Sequence, residues 1–128
     1  MTHARQELGR RAEDLVASRL RAEGWTVIER NVRVPGVRGE LDLVALDGDA
    51  LVFVEVKARS AGSLAGPERP ALAVVGRKQA KIRGLAAAWL RERGYDVPRH
   101  RELRFDVVGL RLDGAGRITE WEHLRAAF

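Results

Sequence analysis

Apolar residues recur at helical spacing between about Arg5 and Glu23, at Leu8, Ala12, Leu15, Val16 and Leu20, and Gly24 stops the run, so the pattern predicts a first helix. The period then changes. Trp25 to Val32 reads as a strand, and Arg33 to Arg38, punctuated by Pro35 and Gly36, as a basic loop. Two more strand-like runs follow, Glu40 to Leu46 and Ala50 to Lys57, around an Asp47-Gly48-Asp49 turn signal. The stretch from Ala58 to Gly76, broken by Gly62, Gly66, Pro67 and Pro70, predicts a mobile loop that could engage a ligand. Helical spacing returns from Arg77 to Arg93, with Ile82, Leu85, Ala86, Trp89 and Leu90 on one face and Gly94 at its end. Leu103 to Leu110 and Arg117 to Trp121 predict closing strands around a turn at Asp113 to Gly116, with Trp121, His123 and Phe128 packing on the core. The sequence of elements predicts a single α/β domain over residues 1–128, with a central mixed sheet of about five strands flanked by two helices.

Charged residues interrupt the middle hairpin. Period-two alternation puts Val52, Val54 and Val56 on one face of their strand and Phe53, Glu55 and Lys57 on the other, with Glu55 and Lys57 roughly 7 Å apart. On the preceding strand Leu41, Leu43 and Ala45 share one face, and Glu40, Asp42 and Val44 the opposite one. A two-residue Gly48-Asp49 loop, with Gly first as a type II′ turn prefers, pairs Asp47 with Ala50 and carries Asp42 opposite Glu55. A four-residue loop from Asp47 to Ala50 keeps the same register. Carboxylates facing each other on a ladder sit about 5 Å apart and repel. A divalent cation between them reverses that, because hard oxygen ligands at this spacing suit Mg²⁺ or Mn²⁺. Lys57 would lie beside the metal, able to orient a water or to stabilise charge growing on a phosphate. The competing reading is a surface hairpin of solvated ion pairs worth tenths of a kcal/mol. Phe53 on the carboxylate face and valines on the other argue against it.

The constellation Asp42, Glu55-Val56-Lys57 resembles the PD-(D/E)XK nuclease core, and the chain is similar to the YraN-like bacterial family related to archaeal Holliday-junction resolvases. The matching stretches are Gly9 with Ala12-Glu13, Asn31-Val32-Arg33, Gly39 to Val44, Val52 to Lys57 with Arg59, Arg104 to Val108, and Ala127-Phe128. The resemblance implies a restriction-endonuclease-like core in which Asp42, Glu55 and Glu13 ligate Mg²⁺ or Mn²⁺ and Lys57 is the catalytic lysine. One departure is visible: Ala12 stands where the family pattern usually has glycine before the helix glutamate. Related folds also add a Gln or Lys from the second helix, making Gln79, Lys78 and Lys81 candidates here.

Composition fits a nucleic-acid partner. The net charge is +5 and the sequence pI about 10.6, with arginine supplying most of the positive charge. Arginine's planar fork suits phosphate, although GC-rich codon usage produces the same excess. Arg33, Arg38, Arg59, Lys78 and Lys81 are the candidate phosphate contacts. Basic residues at the start of the second helix oppose its macrodipole, a local cost that makes sense if they address phosphate. With no cysteine there is no disulfide framework, zinc-thiolate site or cysteine nucleophile. His3, His100 and His123 lack paired metal-ligand spacing and read as surface or locally bonded. No Walker-type loop or dinucleotide fingerprint occurs. The start, MTHARQELGRR, has no apolar signal core and no run approaches a membrane span, so a cytoplasmic location is expected.

These features predict a metal-dependent, possibly structure-directed (resolvase-like) DNA endonuclease whose partner is duplex or branched DNA. A homodimer stays open. The alternative is a nucleic-acid-binding module that keeps the fold and cleaves nothing.

Overall fold

The computed structural model describes residues 3–64 and 66–128. Their elements run α1 (His3–Ala22), β1 (Thr26–Val32), β2 (Leu41–Asp47), β3 (Ala50–Ser60), a 3-10 helix (Pro70–Ala73), α2 (Gly76–Arg93), a 3-10 turn (Gly94–Asp96), β4 (Glu102–Leu112) and β5 (Ile118–Leu124). Positions 1, 2 and 65, the last inside the expected loop, lie outside the described residues. The strands form one mixed sheet in the order β1-β2-β3-β4-β5, antiparallel except for β3–β4. That parallel pair requires a crossover, and residues 61–101 supply it, carrying α2 onto one face of the sheet. Helix α1 covers the other face, so the fold is the α/β sandwich that the spacing predicts.

β3 is the central strand and is buried on both sides, which is why it reads as a nearly unbroken apolar run. Its Leu51 and Phe53 pack with Leu85 and Trp89 of α2, and its Val52 and Val54 pack with Val16 and Leu20 of α1. Phe53 meets Trp89 edge-on at 5.7 Å and stacks on Phe105 at 5.5 Å. Phe105 in turn stacks on Phe128 at 5.2 Å, so the C-terminal aromatic joins the core as the sequence predicts. Helix α1 ends in a Schellman closure: Trp25 N donates to Leu20 O at 3.0 Å and Gly24 N to Arg21 O at 3.0 Å. Gly24 takes φ 95° there, a value that costs any residue with a Cβ.

Several boundaries differ from the sequence pattern. β3 continues past Lys57 to Ser60, because Ala58, Arg59 and Ser60 pair with Leu110, Arg111 and Leu112 of β4. Arg111, 8 % exposed, donates to the carbonyls of Ser60 at 3.3 Å, Ser63 at 3.1 Å and Glu68 at 2.8 Å, fastening the backbone that follows β3. The 3-10 helix lies within the stretch expected to be loop. β5 extends to Leu124 rather than ending at Trp121.

Candidate active site

The β2–β3 turn has the two-residue form. Asp47 pairs with Ala50, and Gly48, not Asp49, takes the positive φ (60°), as a type II′ turn requires. Pairing continues rung by rung to Leu43 and Val54, so the next rung sets Asp42 against Glu55. At this rung the main-chain ladder gives way to a side chain: Asp42 Oδ2 accepts the Val56 N–H at 2.9 Å. On the far side of β2, Arg30 pairs with Leu43 and Val32 with Leu41, which puts Asn31 next to Asp42. A polar row, Asn31–Asp42–Glu55, therefore crosses three adjacent strands.

The side chains depart from simple alternation at this row. Leu43 and Ala45 pack toward α1, but Leu41, expected beside them, packs with Val44 toward α2. The break falls at Asp42, whose carboxylate lies in the seam between strands and borders hollows on both faces. On the α1 side is a cleft of about 440 Å³ lined by Glu13, Asp42, Lys57, Arg59 and Arg5. On the α2 side Asp42 meets Phe53, Glu55 and Ile82. Glu55 borders the hollow against α2, whereas Lys57, still paired with Gly109 of β4, borders the cleft together with Val56, Ala58, Arg59 and Ser60. Among the described residues Lys57 forms no ion pair, and the cation at Glu55 is Lys78 from the first turn of α2, with Nζ 3.4 Å from Oε2. Gln79 turns away, donating to Val74 O at 3.1 Å.

Asp42 is surrounded by acids. Burial, a hydrogen bond shared with the Glu55 carboxyl and the Glu55 charge push its pKa up to about 9; the Val56 N–H opposes this, and the Glu13 charge adds to it. The pair therefore holds a proton more tightly than free carboxyls do when no cation is near. Glu55 is 6 % exposed, and its Oε2 has no hydrogen-bond partner, since Lys78 stands beyond bonding geometry. Burial also raises the Glu13 pKa, as do Glu40, Asp14 and Glu55, against the lowering effect of Arg30. No group of three His, Cys, Asp or Glu among the described residues is already arranged to hold a metal ion. The donors nevertheless suit a hard cation: a half-buried and a buried carboxyl in contact, with one Glu55 oxygen lacking a hydrogen bond and only the Lys78 ammonium, 3.4 Å away, beside it.

The predicted phosphate contacts do not form one line. Arg59 lines the cleft, donating to Ala58 O at 2.9 Å and lying over Gly66. Arg33 pairs with Glu40 at 3.0 Å, and Lys78 is engaged with Glu55. Arg38 and Lys81 are exposed, Lys81 lying across Gly39. Asn31 and Glu40 take part in this site without belonging to the Asp42, Glu55-Val56-Lys57 constellation. In the amide orientation that satisfies both its ends, Asn31 Nδ2 donates to Glu13 Oε2 at 2.9 Å, Glu13 Oε1 at 3.1 Å and Glu40 Oε1 at 3.0 Å. The signal available in the sequence was an asparagine inside a strand, where that residue type is depleted. No helix among the described residues is long and apolar enough to cross a membrane.

The sequence signature of the uncharacterised protein family UPF0102 matches residues 12–110. A UPF0102 protein of Frankia casuarinae is 47 % identical over 125 residues, covering 98 % of each chain. One from a Parafrankia strain is 44 % identical over 124 residues, 96 % of this chain and 97 % of its own. One from Moorella thermoacetica is 38 % identical over 128 residues, all of both chains.

Proposed function

We propose, from the premise that this chain belongs to the uncharacterised protein family UPF0102, that it is a metal-dependent DNA endonuclease, resolvase-like in acting on branched DNA. The supporting observation is the contact between Asp42 and Glu55: two carboxyls largely withdrawn from water share a hydrogen bond, and burial together with the Glu55 charge raises the Asp42 pKa. Asp42 and Glu55 would hold Mg²⁺ or Mn²⁺, with Glu13 and the Val56 carbonyl as further oxygen donors. The bound metal supplies Lewis-acid activation of a water and charge neutralisation at the phosphate. Lys57 lines the same cleft as Asp42 and Glu13, where its ammonium can orient that water and stabilise negative charge on the phosphodiester during in-line attack. Arg59, on the cleft wall, can hold the phosphate backbone. Incubation of duplex, flap, single-stranded and four-way-junction DNA with the protein and Mg²⁺ or Mn²⁺ tests the proposal. Cutting of a branched substrate is the expected result, and no cutting of any substrate with either metal rejects it.

A second reading, a nucleic-acid-binding module that does not cleave, is favoured by one observation. Lys78 already stands 3.4 Å from Glu55, partly neutralising the charge that a cation would need. Under this reading Asp42→Asn changes neither metal uptake nor DNA binding.

A further inference from the structure

Glu13 enters the site from α1 on a long flexible side chain, and Glu40 lies close enough to raise its pKa. Two like charges on mobile side chains should swing apart. They are instead joined through one residue, since the Asn31 amide donates to both oxygens of Glu13 and to Glu40 Oε1 within 3.1 Å. The neighbouring guanidinium groups are engaged elsewhere: Arg30 Nη2 binds Asp14 Oδ1 at 2.6 Å and Arg33 binds Glu40 Oε2 at 3.0 Å. Among the described residues no cation pairs with Glu13. The distinction is chemical, because an arginine would orient Glu13 and also neutralise it, whereas a carboxamide orients it and leaves its charge intact. Asn31 reaches this position through a backbone that is unusual for a strand, with φ 51°, a left-handed value at a non-glycine residue between two paired rungs. Such conformations cost of order 1 kcal/mol or more and persist where the surroundings hold them.

The geometry points to Asn31 as the positioning residue for Glu13: its neutral amide grips the helix-borne carboxyl from behind and keeps it on the border of the cleft that Asp42 and Lys57 line. This inference rests on the reading of Asp42 and Glu55 as cation ligands. Glu13 borders both this cleft and the hollow containing Asn31, so it can be held from one side while facing the other.

Mn²⁺ binding, followed through the electron paramagnetic resonance signal of the free ion, tests it on the full chain. Asn31→Gly preserves the left-handed backbone and removes only the amide. It should weaken Mn²⁺ binding about tenfold, the lower end of the range for a group that orients a ligand. Glu13→Gln should weaken binding at least as much. The double variant should be no weaker than Glu13→Gln alone, because a positioning residue has nothing left to position. Wild-type affinity in Asn31→Gly, or losses that multiply in the double variant, overturns the inference. A metal-free spectrum gives a second readout: the Asn31 side-chain amide protons should shift in Glu13→Gln, and unmoved resonances also overturn it. Mn²⁺ uptake that is absent, or indifferent to Asp42→Asn, overturns the cation site itself and this inference with it. A failure confined to Asn31→Gly leaves the site standing.

Discussion

Two aspartates sit under the same sheet in opposite company. Asp106 on β4 pairs with Val54, one rung from Glu55, and is completely buried. It accepts from Arg104 Nε at 2.9 Å, Arg104 Nη2 at 3.1 Å and Ala126 N at 3.0 Å, and lies 2.8 Å from His123 Nε2. Burial alone would raise its pKa, yet bonds from His123, Arg104 and the Ala126 N–H outweigh burial and leave it lowered. At Asp42 burial acts with two neighbouring acids against a single backbone donor, and its pKa rises to about 9. Burial raises both carboxylates, and the partners decide the outcome: donors reverse the shift at Asp106, and neighbouring acids add to it at Asp42. The chain can surround a buried acid with donors where the acid is structural, as at Asp106, which fastens the C-terminal segment through Ala126. At Asp42 and Glu55 it supplies only the Val56 N–H and the more distant Lys78 ammonium, and the proposed function rests on that difference.

The largest expected effect is on chemistry. Asp42→Asn should abolish metal-dependent cleavage while DNA binding stays the same or tightens, and Lys57→Ala should stop cleavage with Mn²⁺ binding retained; gel assays and metal titration check both. The comparison breaks if Asp106→Asn abolishes cleavage in a folded protein as Asp42→Asn does.

Next comes stability. Asp106→Ala should cost about 3–5 kcal/mol in urea unfolding, because it strands Arg104 beside His123 without their shared counter-charge. Asp42→Asn should act in the opposite direction, stabilising the metal-free protein by about 1–3 kcal/mol through removal of a poorly satisfied buried acid. Equal signs for the two variants would erase the distinction.

The pH dependence sharpens it. The native state holds the Asp42 proton more tightly than the unfolded chain, so the Asp42 contribution is fully present below pH 3.8 and is lost as pH rises toward about 9. The advantage of Asp42→Asn over wild type should accordingly grow with pH across that window in metal-free buffer. Asp106 behaves inversely: its contribution is present above pH 3.8 and lost as pH falls through its lowered native value. A gap between wild type and Asp42→Asn that stays flat with pH contradicts this account. The smallest effect concerns the cleft wall, where Arg59→Ala should reduce the log–log salt slope of duplex DNA binding by about one unit.

Much of this was legible because the relevant contacts are local. The hairpin register follows from a Gly-first turn and period-two alternation, and neither needs the rest of the molecule. The side of Leu41 was not legible, because the alternation breaks where the Asp42 carboxylate takes over a main-chain bond. The extension of β3 through Arg59 and Ser60 was also hidden, since polar residues there are held as strand only by pairing with β4. His123 read both as packing on the core with Trp121 and Phe128 and as surface or locally bonded; it is 10 % exposed, in keeping with the first, and its partner Asp106 lies on another strand. His3 and His100 do bond locally, to Glu7 and to Pro98 O. The roles of Asn31 and Glu40 depend on a helix and a strand meeting, which residue spacing does not encode.

The parallel β3–β4 seam also sets an order of events in time. A tight two-residue hairpin closes in about 1–10 μs, whereas β4 can reach β3 only after residues 61–101 have doubled back. Asp42 and Glu55 are therefore expected to come together early, before α2 docks and brings Lys78. Stopped-flow fluorescence of a variant retaining only Trp89, which packs on Phe53 from α2, should report that docking as the later phase. Docking of α2 is then the step that sets Lys78 beside Glu55.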